Sequence, residues 1–94
     1  DGRVIYLRFN VRRGQVSGFT GCNDIVGLVT FFGDQIRFRE PIPMTRMACR
    51  DAIAQNRERN FLNALYRTSR YTLSGDVLTF YSGNQVVARF RSAR

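Results

Sequence analysis

Hydrophobic and polar positions alternate with period two along most of this chain, and the places where they stop alternating define its remaining elements. In Val4-Ile5-Tyr6-Leu7-Arg8-Phe9, Val4, Tyr6 and Arg8 fall on one face and Ile5, Leu7 and Phe9 on the other, the pattern of a strand. Arg13-Gly14 reads as a turn, and Gln15 to Thr20 resumes extended structure. Gly21-Cys22-Asn23-Asp24 is a break built from residues that tolerate turns. Val26 to Phe32 is apolar and β-branched, with Gly27 expected to mark a bulge or a crossing point. Gly33-Asp34-Gln35 predicts a hairpin turn into Ile36-Arg37-Phe38-Arg39, where Ile36 and Phe38 point inward and Arg37 and Arg39 outward. Pro41-Ile42-Pro43 then stops the strand and holds an extended connector, because proline lacks the ladder donor.

The period changes once. Ala54, Phe61 and Leu65 share a helical stripe that Leu62 widens, with Gln55 to Asn60 polar on the other side. Asp51 places negative charge at the positive end, and Arg59, Arg67 and Arg70 gather toward the other, so a helix is predicted over residues 52–66. Three strands close the chain, near 71–73, 77–81 and 85–90, separated by Ser74-Gly75-Asp76 and Ser82-Gly83-Asn84. Strands, one helix, then strands argue an α+β fold: a curved, partly barrel-like antiparallel sheet with the helix's apolar stripe packed on it.

The 94 residues are one domain's worth, so residues 1–94 are read as a single domain whose core is real but marginal. Hydrophobic residues make up 44% and aromatics 13%, a globular composition that suits a sheet core. The charge changes the picture more. Fifteen basic residues face seven acidic ones for a net charge of +8, and every basic residue is Arg. Guanidinium groups grip phosphates bidentately, which would suit nucleic acid, anionic lipid or lipopolysaccharide. Replacement of Lys by Arg throughout a GC-rich genome gives the same count, and the dispersal of the arginines, with Arg12-Arg13 the one adjacent pair, fits that second reading. No stretch approaches the roughly 20 apolar residues of a membrane span. The opening Asp1-Gly2-Arg3 reads as the start of a processed or trimmed product, which leaves room for a signal or lipid anchor upstream.

The chemistry expected of most enzymes is missing from the composition. Without His there is no Ser-His-Asp or Cys-His triad, and without Lys no amine chemistry. Glu40 and Glu58 form no close pair by sequence, leaving Asp24 with Asp51 as the residual carboxylate combination. No glycine-rich phosphate loop precedes the helix. Cys22 and Cys49 stand 27 positions apart. Two cysteines alone are weak grounds for a disulfide over two buried thiols, and without His they leave a zinc ion short of ligands. No cofactor, no metal and no catalytic residue is expected.

Three fragments carry a resemblance. They are Val16-Ser17-Gly18-Phe19-Thr20-Gly21-Cys22-Asn23, then Met44-Thr45-Arg46-Met47-Ala48-Cys49, then the end of the helix followed by Tyr71 to Phe80. Together, over residues 4–91, they resemble the META domain (HslJ-like) family, with its "GCN" turn, its "TRMAC" segment before the helix and its closing strand pair. The resemblance implies an extracytoplasmic place, periplasmic, lipoprotein-like at the outer membrane or secreted, a loose link to stress, and no agreed enzymatic activity. It also implies a Cys22–Cys49 disulfide tying the first turn to the helix entrance. Family members usually begin with a further Trp-bearing strand that this chain lacks, so the sheet is expected to want an edge or to receive one from a second chain or a noncovalently retained fragment; pairing through that edge is a route to a homo-oligomer. Gly21 would supply an unusual backbone angle, Asn23 would cap a turn, and Thr45 and Arg46 would bond loop carbonyls; the functional alternative is that Asn23, Thr45 and Arg46 line a ligand site.

Three functions follow as expectations. The first is a non-enzymatic, envelope-associated binding module, stress-related, that holds lipid or a partner protein and offers Arg8, Arg37, Arg39, Arg89 and Arg91 to lipid phosphates or lipopolysaccharide. The second is a nucleic-acid-binding module using dispersed arginines and aromatics. The third is an inhibitor or chaperone-like protein presenting loop 40–50 to an envelope protein.

Overall fold

The computed structural model describes residues 4–92; Asp1-Gly2-Arg3 lies outside them. Seven strands form one antiparallel meander in chain order: β1 (Tyr6–Asn10), β2 (Gln15–Phe19), β3 (Asp24–Phe32), β4 (Gln35–Phe38), β5 (Arg70–Ser74), β6 (Val77–Ser82) and β7 (Gln85–Arg91). Among the described residues the one α-helix, α1 (Ala52–Arg67), separates β4 from β5, and a 3-10 turn, Val11–Arg13, joins β1 to β2. Among the described residues the sheet does not close, and β1 and β7 are its ends.

Three of the turns share a mechanism. Gly33, Gly75 and Gly83 have φ of 61°, 60° and 60°, and no described non-glycine residue has positive φ. Glycine at the first central position followed by an ordinary Asp or Asn defines type II′ turns, whose twist matches that of the flanking strands. The Gly-Asp and Gly-Asn pairs of the sequence therefore set both the position and the type of these hairpins.

The inward faces meet on Phe80, which is 0% exposed. Its ring lies 5.5 Å from Phe90, 5.6 Å from Phe38 and 6.4 Å from Phe9. Val16, Ile25, Val29, Ile36, Ile42 and Leu65 complete the buried cluster. Helix α1 buries Ala54 and Leu65 and sets Phe61 edge-on to Phe90 at 6.2 Å. Asp51 Oδ1 accepts from Ala54 N at 2.8 Å at the N-cap, and Thr68 Oγ1 donates back to Ala64 O at 2.7 Å at the other end. That amide, with Arg50 alongside, holds the Asp51 carboxyl below its ordinary value of 3.8.

The connector between β4 and α1 is part of the sheet's fabric. Val26 N donates to Pro43 O at 3.1 Å, Thr45 N donates to Asp24 O at 3.0 Å, and Ile42 N donates to the Tyr66 hydroxyl at 3.0 Å. Thus β3 pairs with β4 over its C-terminal half and with the connector at its start. This accounts for Gly27. There is no bulge there; a Cβ would meet Ile42 Cγ2 at 3.3 Å, so glycine admits the crossing chain. The register shift in the sheet falls instead between Phe80 and Tyr81. Arg70 also differs from expectation: it opens β5 rather than trailing the helix, and its guanidinium stacks 4.1 Å from the centroid of the Tyr81 ring.

Candidate functional site

Two places concentrate unusual chemistry. The first is a polar clamp where the β2–β3 turn, the connector and α1 meet. Gly21, at φ 100°, turns the chain so that Cys22 and Asn23 face the helix. Cys22 and Cys49 are bonded, with their Cα atoms 5.3 Å apart. Asn23, buried, accepts at Oδ1 from Met47 N at 2.8 Å and from the Thr45 hydroxyl at 2.9 Å. Its Nδ2 donates to Met47 O at 3.1 Å and Glu58 Oε2 at 3.0 Å, and lies 3.3 Å from Cys22 Sγ. Thr20, fully buried, donates to Glu58 Oε2 at 2.7 Å and accepts the N–H groups of Cys22 and Asn23.

Of the three residues offered as a turn set or a ligand lining, Asn23 and Thr45 are brought together and Arg46 is not. Asn23 does not cap its own turn; it grips the connector. Thr45 bonds the Asn23 amide oxygen and accepts from Asp24 N at 3.0 Å, instead of bonding loop carbonyls through its side chain. Arg46 is exposed. The residue missed in the sequence is Glu58. A signal was there: Ala54, Glu58, Phe61 and Leu65 follow i, i+4, i+7, i+11 spacing, so a carboxylate occupies the apolar stripe. Cys22, Cys49 and Glu58 bring ligand-type atoms within 4.8 Å of one another, but the two sulfurs are spent on each other.

The second place is the outer face of β2, β3 and β4. Along β3 the outward residues are Val26, Leu28, Thr30 and Phe32, where a half-solvated strand should present polar groups. Val26 is 61%, Leu28 43% and Phe32 81% exposed. Directly opposed residues of antiparallel strands share a face. Arg37 lies opposite Thr30, and Arg39 N donates to Leu28 O at 2.9 Å, so both arginines border the stripe on one side. On the other side Ser17 faces Val26 and Arg8 faces Ser17. Arg8, Arg37 and Arg39 are all exposed. A groove of about 540 Å³ runs beside Leu28 between Arg13, Arg37 and Arg39, with Glu40 at its rim. Arg89 and Arg91, expected on the same surface, lie on β7 at the far end of the strand order, and Arg91 is paired with Asp76 at 3.3 Å.

A further concavity, of about 620 Å³, opens where β4 and β5 diverge after pairing at Gln35 and Arg70. Its charged lining mixes Asp34 and Glu40 with Arg37, Arg67 and Arg70.

Comparisons with known proteins agree with this architecture. A protein from Burkholderia xenovorans, solved by NMR, is similar over 99% of this chain and 67% of that one, at 28% identity and a TM-score of 0.71. No curated protein matches the chain. The META domain profile matches residues 1–94, from end to end, and the chain therefore belongs to the META domain family.

Proposed function

We propose that this chain is a non-enzymatic docking domain of the cell envelope, working outside the cytoplasm, that seats the outer face of β2–β4 on an anionic phospholipid surface. The observation that carries this reading is the apolar stripe Val26, Leu28 and Phe32 with Arg8, Arg37 and Arg39 on its borders. Apolar side chains flanked by cations are what a bilayer interface accepts: hydrocarbon enters the acyl boundary while guanidinium groups stay with the phosphates. Each cation near an anionic leaflet contributes about 1 kcal/mol, and the net charge of +8 adds long-range attraction. The Cys22–Cys49 disulfide is compatible with an oxidising compartment.

Single-stranded nucleic acid fits this face less well. Such sites stack bases on aromatic platforms. Here Val26 and Leu28 make the stripe aliphatic up to Phe32 at its end, and the Tyr6 ring on the neighbouring β1 already carries Arg8, with the guanidinium carbon 5.6 Å from the ring centroid.

Co-sedimentation with vesicles tests the reading. Binding is expected to phosphatidylglycerol-containing vesicles, weakening with salt, and not to pure phosphatidylcholine vesicles. Retention of labelled oligonucleotides at ~50 mM salt without vesicle binding would favour the nucleic-acid reading. Binding to lipopolysaccharide micelles alone would move the ligand to that amphiphile.

A further inference from the structure

Glu58 reaches the disulfide as well as the clamp. Its Oε2 takes both hydrogen bonds, from Thr20 and Asn23, while Oε1 lies 4.0 Å from Cys49 Sγ, a sulfur with no proton to give. The carboxylate is half-buried, and among the described residues no arginine pairs with it; the two ion pairs found there are Arg50–Asp51 and Arg91–Asp76. What sets Glu58 apart from the other acids is its place, half-buried and against a half-buried disulfide.

We infer that the Glu58 carboxylate guards the Cys22–Cys49 bond against reduction by anionic thiols. Reduction starts when a thiolate RS⁻ attacks one sulfur: an S–S bond to the reagent forms, the Cys22–Cys49 bond breaks, and its electron pair leaves on the other sulfur as a thiolate. A second RS⁻ then attacks the mixed disulfide, giving RSSR and, after both cysteine thiolates take protons from water, the dithiol. Glu58 opposes both ways of starting. Attack at Cys49 brings an anion up to the carboxylate. Attack at Cys22 expels the Cys49 thiolate beside that same charge, which raises the leaving thiol's pKa and slows its departure. This device is independent of what the outer face of the sheet binds.

The test is the reduction rate of the folded protein, wild type and E58Q, with glutathione (anionic) and cysteamine (cationic) at equal thiolate concentration. Free thiols are counted by alkylation and intact mass. Glutamine keeps an oxygen for Thr20 and Asn23 and removes the charge. The expected result is a glutathione rate at least ~5-fold higher in E58Q, the change a unit charge ~4 Å away makes even at the dielectric constant of water. Acceleration with cysteamine should be smaller, because its ammonium group is attracted to Glu58 in the wild type. A variant that merely loosened the fold would speed both reagents alike. Equal acceleration with the two reagents, or none with either, overturns the inference.

Discussion

Asn23 holds Met47 by both of its backbone polar groups: Oδ1 accepts from Met47 N at 2.8 Å and Nδ2 donates to Met47 O at 3.1 Å. A neighbouring strand would supply these same two bonds. One side chain thus substitutes for a strand where the connector leaves β3, and it lets loop 44–49 lie against the helix entrance with its backbone satisfied.

Removing that amide should be costly. N23A removes both side-chain bonds to Met47 and the acceptor of the Thr45 hydroxyl proton, and is expected to lose about 2–3 kcal/mol in urea denaturation, with an unchanged slope. N23D should lose more, because its carboxylate replaces the donor to Glu58 and sets two like charges at hydrogen-bond distance.

The covalent and polar halves of the clamp should act separately. Reduction, or the C22A/C49A double variant, releases a loop of 27 residues' separation and is expected to cost about 3–4 kcal/mol. Because Asn23 still holds Met47, the reduced protein should keep its near-ultraviolet circular dichroism in the absence of denaturant.

Glycines should rank by what lies beyond them. A Cβ on Gly18 would collide with the Tyr6 carbonyl oxygen, a backbone atom across the β1–β2 pair that cannot move without parting the strands. G18A is expected to destabilise by about 2–3 kcal/mol and to raise amide exchange in β1. G27A meets the Ile42 side chain at 3.3 Å and should cost less, since that side chain can shift.

Acid should loosen the helix start. The Ala54 N–H keeps the Asp51 carboxyl below its ordinary 3.8, so its contribution is complete above that value and fades as pH falls through the lowered one. Wild-type protein should therefore lose more thermal stability than D51N between about pH 5 and about pH 2, while the two differ little at neutral pH, where Asn caps as well as Asp. Parallel melting curves for both proteins check this.

Much of the architecture was legible because local signals agreed with one another. Type II′ hairpins demand glycine first, and Gly33-Asp34, Gly75-Asp76 and Gly83-Asn84 announce them; Asp51 announces the helix. The remainder depends on contacts distant in sequence. Gly27 as a crossing point needs the position of Ile42, and Glu58 at the disulfide needs the turn of α1 that faces Cys49. The arginines needed registers: Arg8, Arg37 and Arg39 gather on one face, and β7 carries Arg89 and Arg91 away from it. Thr45 could be picked out as a residue, but its partner, the Asn23 amide, is fixed by tertiary folding.

The chain has no Trp, which makes Phe32 an informative place for one: the side chain is 81% exposed at the end of the apolar stripe. Fluorescence of F32W titrated with phosphatidylglycerol vesicles tests the docking face most directly. A blue shift that saturates with lipid, and that needs at least ~10-fold more lipid in F32W/R37E/R39E, is expected. An emission maximum that stays at its aqueous position while vesicles are added, or a shift that the two charge reversals leave unchanged, would contradict it.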